Sequence, residues 1–327
     1  MKLSRPDVFH PRVVLASCAA LPQGDGDDDG LVAALRARGL HARWLSWDDP
    51  QTHEADLVIL RATWDYTERL PEFLSWTRSV RNLLNAPEIV EWNTDKRYLD
   101  DLARLGVPVV PTRYFAVDEE VEIPSGPDGE IGEIGEIGEI GEIVVKPAVG
   151  AGSAGALRFA DRVAALAHAA ALQRQGRAVL VQPYDPRITE GETALVFLGG
   201  EESHAFTKGP MLPSPGQKPE FDPSGTYAEE TLSPADPDEQ VWRVGRLAVW
   251  AVTRLFDIEP EDLLYARVDV IGGADDPRLL ELELVEPSLG FRQLGADDRA
   301  GAEREFALGV ERALERFGLG PLSRRST

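Results

Sequence analysis

The chain has 327 residues, 43% of them apolar and 28% charged, which suits a soluble globular protein of more than one domain. Its net charge of −22 argues against a nucleic-acid partner, which needs a basic face; a small polyanion stays allowed, because local lysines and metal ions reverse the field nearby. The one cysteine, Cys18, excludes an internal disulfide and fits the cytoplasm, no apolar run approaches the ~20 residues that span a bilayer, and no apolar signal-peptide stretch follows Lys2 and Arg5.

Residues 13–16 read as a buried strand, with Cys18 after it as a small buried side chain. A helix is predicted over 30–38. Asp27, Asp28 and Asp29 precede it and Gly39 closes it, matching the helix dipole and the C-terminal cap. Strands follow at 43–45 and 56–60, then a helix over 71–80 with Pro71 in its first turn. This βαβ alternation predicts an α/β N-terminal domain over 1–88 with a doubly wound parallel sheet.

A second unit is expected over 89–185. Asn93 or Thr94 is predicted to cap a helix that runs to Leu105, with Tyr98, Leu99, Leu102 and Leu105 on one face, followed by a strand over 107–115. The Gly-Glu-Ile triplet repeats through 129–142, too short for a solenoid, and reads as a hairpin loop. A strand ends at Lys146. A helix over 161–175 is expected to turn Val163, Leu166 and Ala170 inward, and a strand follows over 178–182.

The third unit, 186–327, opens with a hairpin of 193–198 and 203–208 around Gly199 and Gly200. Residues 211–237 read as a long loop. A helix over 241–256 is expected to bury Val241, Val244, Ala248, Ala251 and Leu255. Strands over 265–271 and 279–285 precede a closing helix, 302–317, that buries Phe306, Val310, Leu314 and Phe317.

Three constellations carry chemistry. Lys146 ends a strand and meets a loop with Gly150, Gly152 and Ser153, whose backbone N–H groups and lysine suit phosphate oxygens. Lys96 sits at a helix start, where it is electrostatically misplaced unless an anion binds there. Glu281 and Glu283 project to one face of a strand, and Asp269 on an antiparallel neighbour joins them; such carboxylates repel unless neutralised, and hard oxygens suit Mg²⁺. Leu280, Leu282 and Leu284 fit equally well an exposed edge strand with its acids outward. Arg61, after the strongest N-terminal strand, is placed to clamp a substrate carboxylate, with Thr63, Trp64, Asp65 and Tyr66 shaping the pocket and Arg292 as a second clamp. His204 is assigned to hairpin packing rather than acid–base work.

In this order, from Trp92 to Leu289, these segments resemble the ATP-grasp superfamily and its glutathione-synthetase-like branch. The resemblance implies two α+β subdomains that sandwich ATP. It implies Lys96 and Lys146 as nucleotide lysines, and a hinge strand meeting adenine that carries Gln182, Tyr184 and Asp185. It implies Asp269, Glu281 and Glu283 as Mg²⁺ ligands. Lys208 and Arg267 would face the transferred phosphate. Glu283 stands where the family has asparagine, and Ala194 where it often has arginine. Residues 60–66, 92–96, 146–153 and 281–288 together look like the family of the O-ureido-serine cyclo-ligase of cycloserine biosynthesis. The implied activity is a Mg-ATP-dependent ligase that activates a carboxylate as an acyl phosphate and joins it to an amine or closes it intramolecularly. Its partners would be small-molecule carboxylate and amine substrates, and a homo-oligomer is allowed. The alternative is a nucleotide-binding regulatory protein without turnover.

Overall fold

The computed structural model describes residues 10–123, 141–217 and 231–320. Most of the Gly-Glu-Ile loop and the middle of the 211–237 segment lie outside them. Three sheets arise from successive stretches of chain. The first is parallel, in the order β2-β1-β3-β4, from β1 (Arg12–Ser17), β2 (His41–Ser46), β3 (Leu57–Ala62) and β4 (Leu83–Leu84). β3 is buried at every position, as a central parallel strand must be. Helices α1 (Leu31–Ala37) and α2 (Leu70–Ser79) belong to this unit.

The single helix expected from Asn93 or Thr94 to Leu105 is two helices, α3 (Pro87–Thr94) and α4 (Tyr98–Arg104). The two polar residues do not cap a start. Thr94 Oγ1 donates back to Glu91 O, and the Asn93 amide serves a distant strand described below. The strand expected over 107–115 shrinks to β5 (Arg113–Phe115). Pro108 and Pro111 lack the N–H groups that a longer ladder needs.

The second sheet is antiparallel, in the order β5-β8-β6-β7, from β5, β6 (Ile143–Pro147), β7 (Leu157–Phe159) and β8 (Val179–Pro183). The Asp161 side chain caps α5 (Arg162–Arg174), which backs this sheet. Its inward face is Ala165, Ala169 and Leu172, whereas Val163 is 73% exposed. The helix is apolar on several sides, so spacing alone did not select the face; close approach to the sheet selects the alanines.

The third sheet, order β11-β10-β9-β12-β13, is antiparallel: β9 (Glu192–Leu198), β10 (Glu201–Lys208), β11 (Leu232–Pro234), β12 (Tyr265–Ile271) and β13 (Arg278–Glu283). β11 falls inside the stretch read as loop and pairs with β10 as an edge strand. Alternation along β9 sends Leu195 and Phe197 into a core with α6 (Glu239–Phe256). It sends Ala194, Val196 and Leu198 into another with α7 (Ala296–Arg316) and the first sheet. Leu255 and Phe317, expected inward, are 41% and 42% exposed at their helix ends. Among the described residues, no helix is long and apolar enough to cross a membrane.

Asn85, after β4, ties the first sheet to the third. Its Nδ2 donates to Tyr265 O and Leu284 O, and its Oδ1 accepts from Leu264 N. Asn85→Ala strands three buried backbone groups and should lower unfolding stability by about 3 kcal/mol or more. Urea titration reads this, and an unchanged midpoint would refute the tie.

Candidate functional site

A cleft opens between the second and third sheets, and residues of the first unit line part of it. Lys146 reaches it from the buried end of β6, and Lys96 from the link between α3 and α4. Both meet one carboxylate: Lys146 Nζ lies 2.7 Å and Lys96 Nζ 3.9 Å from Glu281 Oε1. Lys96 Nζ also donates to Gly150 O at 2.8 Å, and Lys96 N donates to Ala148 O at 2.9 Å. The lysine link is thereby fastened to the glycine loop. Burial alone would raise the Glu281 pKa; Lys146 and Lys96 reverse that and hold it below the usual carboxylate range.

Register brings the other acids close. Asp269 stands opposite Glu281, and Arg267 opposite Glu283. A bulge intervenes, since Val270 pairs with Leu279, so Leu280 has no ladder partner and joins the cleft lining. Strict alternation, which put Leu280 with Leu282 and Leu284, therefore fails at this residue. Arg267 grips Asp269 with Nε and Nη2 at 2.9 and 3.0 Å and also pairs with Glu283. Lys208 Nζ lies 2.7 Å from Asp269 Oδ2 and 3.1 Å from Glu192 Oε2. Burial would raise the Asp269 pKa, but Arg267 and Lys208 lower it.

The expected Mg²⁺ set is thus adjacent but engaged. Among the described residues no group of three or more His, Cys, Asp or Glu side chains is arranged to hold a metal ion. Asp269 is wholly buried beneath the cleft, both oxygens bonded to cations. What fits a divalent cation is the surplus of negative charge. Burial, Asp269 and Glu281, against the pull of Arg267, push Glu283 up to about 7. Glu286, whose walls include Trp64 and Tyr66, stands apart from that set: burial and Glu283 push it well above its ordinary value, and its Oε2 has no hydrogen-bond partner.

Gln182, Tyr184 and Asp185 line the cleft with Gly150, Gly152 and Ser153. Gln182 Nε2 donates to Thr112 Oγ1 at 2.7 Å, the Arg158 guanidinium lies 3.5 Å over the Tyr184 ring, and Arg187 clasps Asp185. Ser153 adopts φ 61°, a left-handed conformation uncommon for a residue with a side chain.

The substrate residues expected after β3 divide. Trp64 and Tyr66 line the cleft. Thr63 is wholly buried, and Asp65 accepts from Trp47 Nε1 at 2.7 Å. Arg61 is not a substrate clamp: it is 2% exposed, doubly bonded to Asp28 at 2.9 and 3.1 Å, and donates to Pro287 O at 2.7 Å. Arg292 lies outside the cleft, 3.9 Å from Asp29. His204 packs as expected, its Nε2 2.6 Å from Leu289 O. Glu192 and Glu286 were not assigned from sequence. Glu286 lies beyond the end of β13, where strand alternation no longer places side chains.

Glu283 has its folded-state pKa raised from 4.5 to about 7, so its contribution to stability is intact below pH 4.5 and lost as pH rises through 7. Melting temperatures of the nucleotide-free protein between pH 5 and 8 should fall on this account, and Glu283→Gln should flatten the fall. Equal slopes would contradict the assignment.

Residues 13–85 match the family described as D-cycloserine synthetase DcsG, N-terminal domain. The chain is 34% identical over 281 residues to the cycloserine biosynthesis protein DcsG of Streptomyces lavendulae, across 82% of this chain and 88% of that one. It superposes on the crystal structure of D-cycloserine synthetase DcsG with a TM-score of 0.76 at 30% identity, over 93% of this chain and 99% of that one. A D-alanine–D-alanine ligase from Bacillus anthracis, complexed with ATP, matches at a TM-score of 0.56 and 12% identity, over 94% and 98% of the two chains, a likeness of fold alone.

Proposed function

The chain belongs to the family of the D-cycloserine synthetase DcsG, which has the ATP-grasp fold of ATP-dependent ligases, and from that premise we propose that it activates a substrate carboxylate as an acyl phosphate and closes it onto a nitrogen of the same molecule. The observation that carries the reading is the meeting of Lys96 and Lys146 on Glu281, inside a cleft between the second and third sheets. The cyclic product in the relative's name favours ring closure over joining two molecules. We place the unit boundaries at residues 88 and 185, which leaves each sheet within one unit.

In the first step a carboxylate oxygen bonds to the γ-phosphorus of ATP while the bridging P–O bond breaks and ADP leaves. In the second the nitrogen attacks the acyl carbon, loses a proton to solvent, and phosphate departs. The protein positions and neutralises. Lys96, Lys146 and the Gly150, Gly152 and Ser153 loop hold the phosphates; Gln182, Tyr184 and Asp185 border the base. Lys208 and Arg267 meet the transferring group. Glu281 and Glu283 would hold Mg²⁺, with Asp269 behind them, and the ion would offset charge on the β- and γ-phosphates. Cations now paired with carboxylates would turn to phosphates as nucleotide binds.

A phosphate-release screen over amino-acid, ureido and dipeptide carboxylates, O-ureido-serine included, with mass spectrometry of the product, tests the reaction. ADP with a dehydrated cyclic product is expected. ADP with only a phosphorylated product would replace ligation by simple phosphorylation, and ATP binding without ADP from any compound would favour the regulatory reading. Lys146→Met should lower kcat/KM for ATP by at least ~10²-fold, as loss of a phosphate-stabilising group does.

A further inference from the structure

Glu286 takes no part in the reaction derived above, yet it lines the cleft with only 6% of its surface exposed. Its position is held firmly. Trp64 Nε1 donates to Glu286 O at 3.2 Å, Tyr265 Oη lies 2.8 Å from Val285 O, and Arg61 Nη2 donates to Pro287 O at 2.7 Å. Three successive carbonyls are therefore anchored, which holds the backbone that carries the side chain at the cleft wall.

The hydrogen bonds of the nearby cations go elsewhere, and Arg61 Nη1, also buried, makes none. Lys96 bonds Gly150 O, Arg61 bonds Asp28, and Arg267 bonds Asp269, Glu283 and Ser288 O. Glu286 Oε2 is left buried without a hydrogen-bond partner. A buried carboxyl in this state is unfavourable in the empty protein, and a ligand that donates hydrogen bonds and positive charge removes the penalty. The Trp64 and Tyr66 rings line the same cleft, and aromatic faces attract a cation further. Such walls suit Mg²⁺ poorly, since it keeps a full shell of oxygens and water.

Resting on the ligase reading, we propose that Glu286, with Trp64 and Tyr66, binds the primary ammonium group of the substrate. Such a subsite fits the amino-acid carboxylates with a second nitrogen already named for the screen. The subsite also decides which nitrogen reacts. An ammonium held against a carboxylate stays protonated and has no lone pair, so the other nitrogen attacks the acyl phosphate. The ammonium is a handle, not the nucleophile.

The test compares D-cycloserine, which has the primary amine, with isoxazolidin-3-one, the same ring without it. Both are titrated calorimetrically into Mg-ADP-saturated wild-type protein and Glu286→Gln. Wild type should bind the amine-bearing ring at least tenfold tighter, and Glu286→Gln should abolish that preference while Mg-ADP affinity stays within twofold. No preference in wild type, or one retained in the variant, overturns the proposal. A tenfold loss of Mg-ADP affinity in the variant overturns it too, by making Glu286 a nucleotide or metal group. If wild type binds neither ring, the ring-closing reading fails. Ethylammonium, followed by tryptophan fluorescence, then reads the subsite alone: tenfold weaker binding in Glu286→Gln upholds the proposal and equal binding overturns it. Removing a buried carboxyl without a hydrogen-bond partner should leave the melting temperature at pH 8 equal or higher, so a lost response is not lost folding.

Discussion

The outer edge of β13 is hydrogen-bonded at Leu279 by the backbone of residues 108–110 and beyond it by side chains, and the position of the site's acids depends on that. Leu282 N donates to Tyr98 Oη, Leu282 O accepts from Asn93 Nδ2, Leu284 N donates to Asn93 Oδ1, and Leu284 O accepts from Asn85 Nδ2. An uncovered edge would invite another strand or water. Here the three side chains come from α4, α3 and the end of β4, so the edge is satisfied and buried at once. The same contacts set the register between the α3–α4 link and β13, which is why Lys96 arrives beside Glu281.

Asp269, Glu192 and Glu286 are buried, while the Glu281 and Glu283 side chains keep 23% and 31% of their surface exposed. Among the described residues, and apart from Asp185, which Arg187 neutralises, Glu192, Glu281, Glu283 and Glu286 in the cleft and Asp269 beneath it surround Lys96, Lys146, Lys208 and Arg267. Burial favours the protonated form of the acids that share a cation with Asp269 or make no ion pair. Those are Glu192, which shares Lys208 with Asp269, Glu283, which shares Arg267 with it, and Glu286. The strain is electrostatic, and it lies where a cationic ligand would relieve it.

The acidic run 27–29 is used differently from what its place before a helix suggests. Asp28 neutralises the buried Arg61, and Asp27 accepts from Ser288 Oγ, Leu289 N and Arg292 N. These residues clamp the segment after β13 to the first unit. That segment carries Glu286, so the N-terminal unit builds one wall of the cleft both through Trp64 and Tyr66 and through this clamp. Local rules for helix ends describe a dipole interaction of about 0.3–1 kcal/mol, which a buried arginine easily outweighs.

The amino-acid sequence by itself determined most strands and helices, because alternation and helical spacing are local and survive folding. It also determined the residue types of the site: two lysines, a glycine loop and three carboxylates in the order of a known family. Tertiary structure alone decided which of them meet. It broke one helix at Asp95, because Asn93 is needed on β13, and it bulged Leu280 into the cleft. It turned Arg61 from an apparent clamp into a buried strut by bringing Asp28 within 2.9 Å, and placed Glu286 beside Trp64. For Asn93 and Arg61 the deciding partner is many residues away, and the gain from pairing a buried polar group overrides the local preference.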